Sequence, residues 1–190
     1  INNEYSAYIL GFIYADGCLS EERNTLSITL KRSDKEHLEN INKCMFSNYP
    51  IKDTTGRYSK DYPITEKCNL SICNKEIKRS LLNIGCSPRK SNTLTFPNLN
   101  QNIISHFMRG YFDGDGTVYV DNTNKLRFGL ISTKEFCESY LKYLNLFDVV
   151  TIHKEKRSDK NVYYFTITKK KDLENIYKFL YKDSTLYLNR

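Results

Sequence analysis

The chain lacks several features that would assign it to common classes of protein. No run approaches the roughly 18 consecutive apolar residues of a membrane span, and no charged-then-apolar leader opens the sequence. The six cysteines form no C-x-x-C pair and only three histidines are present, so usable zinc-ligand spacing is missing. We expect a soluble intracellular protein, in the cytoplasm of a bacterium or phage-infected cell or inside an organelle, with reduced thiols.

Positive charge and aromatic residues are abundant. Lysine and arginine number 29 against 22 aspartates and glutamates, which gives a net charge of +7 and a pI near 9.0. Such a balance favours a polyanionic partner. The 15 tyrosines and 10 phenylalanines can fill a core, and 190 residues suffice for two small halves that share one.

An internal repeat organises the sequence. ILGFIYADG (Ile9 to Gly17) returns as MRGYFDGDG (Met108 to Gly116), 99 positions later. Each copy is followed by an alternating run, a helical stretch, two strand-like runs and another helix. The pattern predicts an α+β fold of two pseudo-symmetric α-β-β-α-β-β-α halves, with residues 1–86 and 100–190 as the halves and 87–99 as the linker.

The periodicity also predicts individual elements. Asp34 and Thr133 are the N-cap candidates of the middle helices. The predicted helices are Tyr5–Ala15, Glu36–Cys44, Lys75–Ile84, Ile103–Asp113, Glu135–Leu144 and Lys171–Tyr181. The predicted strands are Thr25–Lys31, Ile51–Arg57, Lys67–Cys73, Lys125–Leu130, Val149–Lys156 and Val162–Thr168.

The repeated motif has small residues four positions apart, Gly11 with Ala15 and Gly110 with Gly114. This spacing puts both small residues on one helical stripe, where a second helix can approach closely, so the two copies are expected to pack together. Each copy ends in Asp-Gly, and we expect the glycine to end the helix in the left-handed conformation. The aspartates would then meet at the base of the helix pair. Carboxylate oxygens there suit Mg²⁺, which also binds phosphate oxygens.

The two motifs resemble the signature helices of the LAGLIDADG homing endonucleases, in the arrangement where one chain carries both copies. This resemblance implies a monomer that binds a long, pseudo-palindromic duplex with a saddle of antiparallel sheets. It implies divalent-metal-dependent hydrolysis of both strands, in the homing of an intron, intein or phage element. Asp16 and Asp115 would bind Mg²⁺, Mn²⁺ would substitute, and Ca²⁺ would support binding without cleavage. Tyr14 replaces the acidic residue at the sixth motif position, which Asp113 keeps.

The same resemblance implies further site residues. A basic residue after each third helix maps to Lys90 and Lys182, with Arg89 as an alternative to Lys90. A polar residue at the end of each second strand, which orders water, maps to Arg32 and Ser132. The residues that we predict to face DNA, from the sheets and not from the resemblance, are Ser20, Thr25, Ser27, Thr29, Lys31, Lys67, Asn69, Ser71, Tyr119, Lys125, Arg127, Thr151, His153, Tyr164 and Thr166.

Strand alternation supports part of that DNA-facing set. If Leu126, Phe128 and Leu130 are buried under helices, then Arg127 and its alternate neighbours point outward. We expect Arg127 to make a bidentate contact with guanine.

Other interpretations of the motifs are weaker or stay open. A calcium loop at Asp113 would need glycine and glutamate where Val118 and Asn124 stand. A non-catalytic nucleic-acid-binding protein, such as an RNA maturase, remains the alternative to a nuclease.

Overall fold

A computed structural model describes residues 1–57, 63–156 and 160–189, and it shows two similar α+β halves. The first half contains α1 (Glu4–Asp16), β1 (Gly17–Leu19), β2 (Thr25–Lys31), α2 (Lys35–Cys44), β3 (Ile51–Gly56), β4 (Thr65–Cys73) and α3 (Lys75–Asn83). The second half contains α4 (Gln101–Asp115), β5 (Gly116–Val120), β6 (Leu126–Ser132), α5 (Lys134–Tyr143), β7 (His153–Lys154), β8 (Tyr163–Ile167) and α6 (Lys170–Tyr181). The predicted α-β-β-α-β-β-α order is confirmed in both halves.

Each half builds one four-stranded antiparallel sheet. The strand orders are β1-β2-β4-β3 and β5-β6-β8-β7, so the two halves share one topology. One face of each sheet is covered by helices, because the alternating apolar residues of the central strands point to that side. Leu26, Ile28 and Leu30 of β2 are all buried in this way.

Helices α1 and α4 form the centre of the molecule. The α1 residues from Ala7 to Tyr14 are all buried, and α4 buries nine of its fifteen residues. A helix that is apolar on nearly every side is stable only when other elements surround it. The pair therefore joins the two halves through a continuous core, as the repeat predicted.

Several element ends differ from the sequence prediction. Asp34 precedes α2, but its side chain makes no capping hydrogen bond, because a 3₁₀ turn (Arg32–Asp34) leads into the helix. Thr133 does cap α5, since its hydroxyl accepts from the Phe136 N–H at 3.2 Å. The strand predicted over Val149–Lys156 shortens to β7, which pairs with β8 at only two positions.

Leu126 also departs from its predicted burial. The hairpin of β5 and β6 continues from the Gly116–Leu130 pair to the Val120–Leu126 pair. In the first half the matching hairpin stops at the Leu19–Leu26 pair and both leucines are buried. The longer hairpin extends past the covering helices, so Leu126 is 46% exposed together with Val118 and Val120.

The chain beyond α6 returns to the central helix pair. Leu186 is buried in this segment, which we call the C-terminal strap (residues 185–188). Its backbone bonds to charged side chains of both central helices: Thr185 N–H donates to Glu4 at 2.8 Å and Leu188 N–H donates to Asp113 at 2.7 Å. Within the described ranges, no helix is long and apolar enough to cross a membrane.

Candidate active site

The two motif helices approach one another through glycine. A Cβ built on Gly11 would lie 2.0 Å from the backbone oxygen of Phe107, and one on Gly110 would lie 2.0 Å from that of Tyr8. Both distances are far below any real Cβ contact, so larger residues would force the helices apart. The predicted close packing of the two motif copies is confirmed.

This packing brings the C-terminal ends of α1 and α4 together. The helices end at Asp16 and Asp115. A Cβ on Gly114 would lie 3.1 Å from Oδ2 of Asp16, so the first carboxylate reaches the residue that precedes Asp115. The sequence thus folds with both motif aspartates at the base of the helix pair.

The glycines that follow these aspartates are not left-handed, contrary to our prediction. Gly17 has φ −72° and ψ 134°, and Gly116 has φ −78° and ψ 160°, both in the extended region. Steric crowding explains why glycine occupies both positions, because the chain passes there directly from helix to strand and a Cβ would clash with the preceding helix. A Cβ on Gly17 would lie 2.5 Å from the Ile13 carbonyl oxygen, and one on Gly116 would lie 2.1 Å from the Phe112 ring.

A cavity of about 200 Å³ opens beside Asp115. Burial raises the pKa of Asp115, while the charge of Lys90 and a hydrogen bond with Tyr111 act to lower it. The Tyr111 hydroxyl donates a hydrogen bond to Oγ of Ser132, the last residue of β6, at 2.9 Å. The residues that line this cavity are Tyr14, Ala15, Lys90, Ser91, Leu94, Tyr111, Asp115, Ile131, Ser132 and Val162.

Lys90 reaches this cavity from the connection between the halves. It is 8% exposed and its Nζ donates to the carbonyl oxygens of Ala15, at 3.5 Å, and Gly17. The negative end of the α1 dipole and the carboxylate of Asp115 favour a cation at this place. Lys90, Asp115 and Ser132 are thus brought together as the sequence anticipated.

Three other candidates lie elsewhere. Lys182 is exposed at the end of α6, and no contact with the cavity is found for it in the described part of the chain. Arg32 is exposed and pairs with Asp53 and Glu66 at 3.8 and 3.4 Å. The environments of Lys90 and Lys182 therefore differ, although the resemblance implied equivalent places for the two lysines.

Arg89 is a poorer candidate than its neighbour Lys90. Its backbone is left-handed, with φ 53°, and its side chain pairs with Glu21 at 2.9 Å on the surface. Lys90 lines the cavity and Arg89 does not.

The oxygen-rich site fits a hard divalent cation. Asp16 and Asp115 offer carboxylates, and backbone carbonyl oxygens lie beside them at the base of α1. The described residues contain no group of three or more acidic, histidine or cysteine side chains that could hold an ion. Mg²⁺ suits such an open arrangement because it retains waters and uses substrate phosphates with only one or two carboxylates.

The uncovered face of the first sheet is polar, as strand alternation predicted. Strand pairing sets Ser27 opposite Ser71 and Thr29 opposite Asn69. The Ser27 and Ser71 hydroxyls lie 3.0 Å apart, and the Asn69 amide donates to Thr29 at 2.7 Å. Lys31 and Lys67 extend this row as the next pair.

The second sheet carries the candidate base-reading arginine. Arg127 pairs with Tyr119 across the strands, but its guanidinium is held by the carboxylate of Asp121 in the preceding turn. Asp121 thus competes with any base for this arginine, which sequence alternation alone did not reveal. His153 stacks on Tyr164 at 5.4 Å between ring centroids, at the far side of the same sheet.

Some proposed DNA-facing residues lie toward the edges of the two sheets. Ser20 follows β1, where its hydroxyl accepts from the Arg23 N–H, and Thr151 is exposed before β7. Lys125 is exposed in the turn before β6, because that strand begins at Leu126. Thr25 and Thr166 lie on the central strands.

Comparison with known proteins agrees with this architecture. The family model of the LAGLIDADG-like domain matches residues 102–180. The homing endonuclease I-WcaI bound to its DNA recognition sequence has a similar structure, with a TM-score of 0.66 and 18% identity over 93% of this chain and 80% of that one. The N-terminal LAGLIDADG domain of DUF199/WhiA matches with a TM-score of 0.60 and 16% identity, over 96% of this chain and 83% of that one.

A curated protein also matches by sequence. The probable translation initiation factor IF-2 of Methanocaldococcus jannaschii is 26% identical over 206 residues, which cover 97% of this chain. The chain spans only 16% of that protein's length.

Proposed function

We propose that this chain, which has the homing-endonuclease fold and matches the LAGLIDADG-like domain over residues 102–180, is a site-specific DNA endonuclease. It would cut both strands of a long duplex target by metal-dependent phosphodiester hydrolysis. The observation that carries the proposal is that α1 and α4 pack closely and end in Asp16 and Asp115, with the buried Lys90 beside Asp115. A protein that kept the fold but did not cleave DNA would have no need for these two aspartates and this lysine at the helix ends.

In the proposed reaction Asp16 and Asp115 would hold divalent cations, Mg²⁺ or Mn²⁺. Bound metal activates water and stabilises the leaving oxygen of a phosphodiester. The Lys90 ammonium lies where it can offset negative charge that develops on the phosphate in the transition state. Ca²⁺ would support DNA binding without cleavage.

The uncovered faces of the two sheets would bind the duplex on either side of the cut. The net charge of +7 favours this contact. Because both motifs belong to one chain and pack on each other, we propose that the protein acts as a monomer. Its role would be the homing of an intron, intein or phage element.

The alternative is a nucleic-acid-binding protein without cleavage activity, such as an RNA maturase. The similarity to the WhiA domain favours it, since that domain is named for its fold and not for a nuclease. Such a protein would bind structured RNA in preference to duplex DNA.

The test is a cleavage selection with the purified chain, Mg²⁺ and a randomised duplex library. We expect the wild-type chain to cut both strands of a recovered target. Asp16→Asn and Asp115→Asn should bind that target in Ca²⁺ without making a double-strand break in Mg²⁺, because asparagine lacks the charge that holds the cation. Cleavage by both single variants would contradict the carboxylate assignment, and binding of structured RNA without any cleavage would establish the alternative.

A further inference from the structure

The two halves differ in polarity next to their carboxylates. The motif repeat places Tyr111 and Phe12 at equivalent positions, 99 residues apart. Both side chains are buried, so each faces the same kind of protein interior. Only the second half has a hydroxyl group at this position.

Strand pairing shows which first-half residue corresponds to Ser132, the hydrogen-bond partner of Tyr111. Gly17 pairs with Ile28 in the first half, and Gly116 pairs with Leu130 in the second. Two residues farther along β2 and β6 lie Leu30 and Ser132, both buried. Tyr111 and Ser132 therefore correspond to Phe12 and Leu30, a polar pair against an apolar pair.

The polar pair lies beside the carboxylate of its own half. The Tyr111 hydroxyl lies 2.9 Å from Oγ of Ser132, and both side chains line one cavity with Asp115, with which Tyr111 hydrogen-bonds. A buried hydroxyl must keep its partners, so this contact restricts the orientation of the Asp115 carboxylate. The Phe12 ring and the Leu30 side chain can offer no such contact to Asp16.

We infer that Tyr111 is a positioning residue that orients Asp115 together with Ser132, and that its absence from the first half makes the two half-sites unequal. This inference rests on the proposed function. Cleavage of one target strand would then depend on a carboxylate that Tyr111 orients, and cleavage of the other strand would not. Loss of the Tyr111 hydroxyl should impair one strand and spare the other.

The expected size of the effect follows from the behaviour of groups that orient metal ligands. Removing such a partner commonly costs about 10 to 100-fold in metal affinity or activity. Tyr111→Phe removes the hydroxyl and keeps the ring that packs at 4.2 Å from Phe136. Ser132→Ala removes the other member of the pair and is a second, smaller change.

The experiment measures cutting of each strand separately. A recovered duplex target, labelled on both strands, is mixed with excess enzyme and Mg²⁺. We expect Tyr111→Phe to slow one strand by about 10 to 100-fold, with nicked duplex accumulating, and Ser132→Ala to slow the same strand. Equal slowing of both strands by Tyr111→Phe, or no slowing, overturns the inference while the proposed function stands.

Tyr140→Phe is the matched control. Its hydroxyl is also buried, but it donates to the Met108 carbonyl at 3.0 Å, away from both motif aspartates. We expect this variant to lose stability without changing the ratio of the two strand rates. A similar change of ratio in Tyr140→Phe would show that packing alone is responsible, which also overturns the inference.

A binding measurement that needs no cleavage supplements the assay. Mn²⁺ is titrated into the wild-type chain and into Tyr111→Phe, and free Mn²⁺ is followed by electron paramagnetic resonance. Tyr111→Phe should weaken Mn²⁺ binding by about 10 to 100-fold. Unchanged Mn²⁺ binding contradicts the role of Tyr111 in orienting Asp115, whereas failure of the wild-type chain to cut any duplex contradicts the proposed function.

Discussion

At the scale of single residues, Lys90 illustrates how position decides the role of a charge. Its ammonium group is almost wholly buried and is satisfied by the carbonyl oxygens of Ala15 and Gly17. Burial of a charge is costly unless hydrogen bonds and nearby opposite charge compensate for it, and Asp115 and the end of α1 provide that charge. The chemically identical Lys182 stands in solvent.

Lys90→Met should therefore slow cleavage strongly. Methionine keeps most of the length of the side chain but cannot offset phosphate charge, and losses of about 10² are common for such groups. The measurement is the single-turnover rate at saturating enzyme. Lys182→Met is the paired variant and should change the rate much less; an equal loss in both would restore their equivalence.

At the scale of elements, backbone contact between α1 and α4 sets the position of the site. The helices touch where Gly11 faces Phe107 and Gly110 faces Tyr8, and the carboxylates lie just beyond this contact. Displacement of one helix would move both aspartates relative to each other. Stability and catalysis thus depend on the same close approach.

Gly110→Ala should lower the free energy of unfolding by about 3 kcal/mol, the upper part of the range for overpacking, because its Cβ would overlap backbone. Gly129→Ala is the control, since there the nearest atom would lie 3.6 Å from the new Cβ. Urea denaturation of both variants is the measurement. A loss in Gly110→Ala no larger than in Gly129→Ala would mean that the helices readily move apart.

At the scale of the whole molecule, the chain's two ends are tied together by buried charge. Arg109 of α4 is 1% exposed, pairs with Glu4 at 2.8 Å and donates to the Leu186 carbonyl. Burial would raise the pKa of Glu4, but hydrogen bonds from Thr185 and Leu186 and the charge of Arg109 outweigh it. The pKa of Glu4 is therefore lowered from its ordinary value of 4.5.

This arrangement predicts a pH-dependent contribution to stability. Because the pKa of Glu4 is lowered on folding, its contribution is complete above the unfolded value of 4.5 and is lost as the pH falls through the folded pKa. At pH 7, Glu4→Gln should lower the free energy of unfolding by about 3 kcal/mol, because it removes the ion-pair partner of the buried Arg109.

Urea denaturation at a series of pH values tests this expectation. The difference between wild type and Glu4→Gln should shrink as the solution is acidified below pH 4.5. Glu76→Gln is the control, because Glu76 pairs with Arg79 on the surface and should contribute no more than about 1 kcal/mol. A difference that stays constant with pH would contradict the linkage.

Much of the architecture and of the site was predictable because repetition and periodicity are properties of the sequence itself. The duplicated motif indicated two halves, and the small residues four apart indicated the contact between α1 and α4. Alternation in β2 identified its buried and outward faces. Each of these depends on local geometry that a helix or strand repeats along its length.

The remaining features depended on lengths and partners that a linear pattern does not encode. The β5–β6 hairpin is longer than the β1–β2 hairpin, which exposes Leu126 and makes Ser132 correspond to Leu30 and not to Arg32. Gly17 and Gly116 are extended, and glycine is needed at both positions because a Cβ would clash with residues of the preceding helix.

The sequence by itself determined the two-fold plan and the pair of aspartates, because they are written twice at one spacing. Only the tertiary structure decided which polar groups support them. Lys90 enters the cavity while Lys182 stays outside, and Tyr111 meets Ser132 where Phe12 meets no hydroxyl. The physical reason is that desolvation and hydrogen bonding depend on three-dimensional neighbours, which can differ even between copies of the same motif.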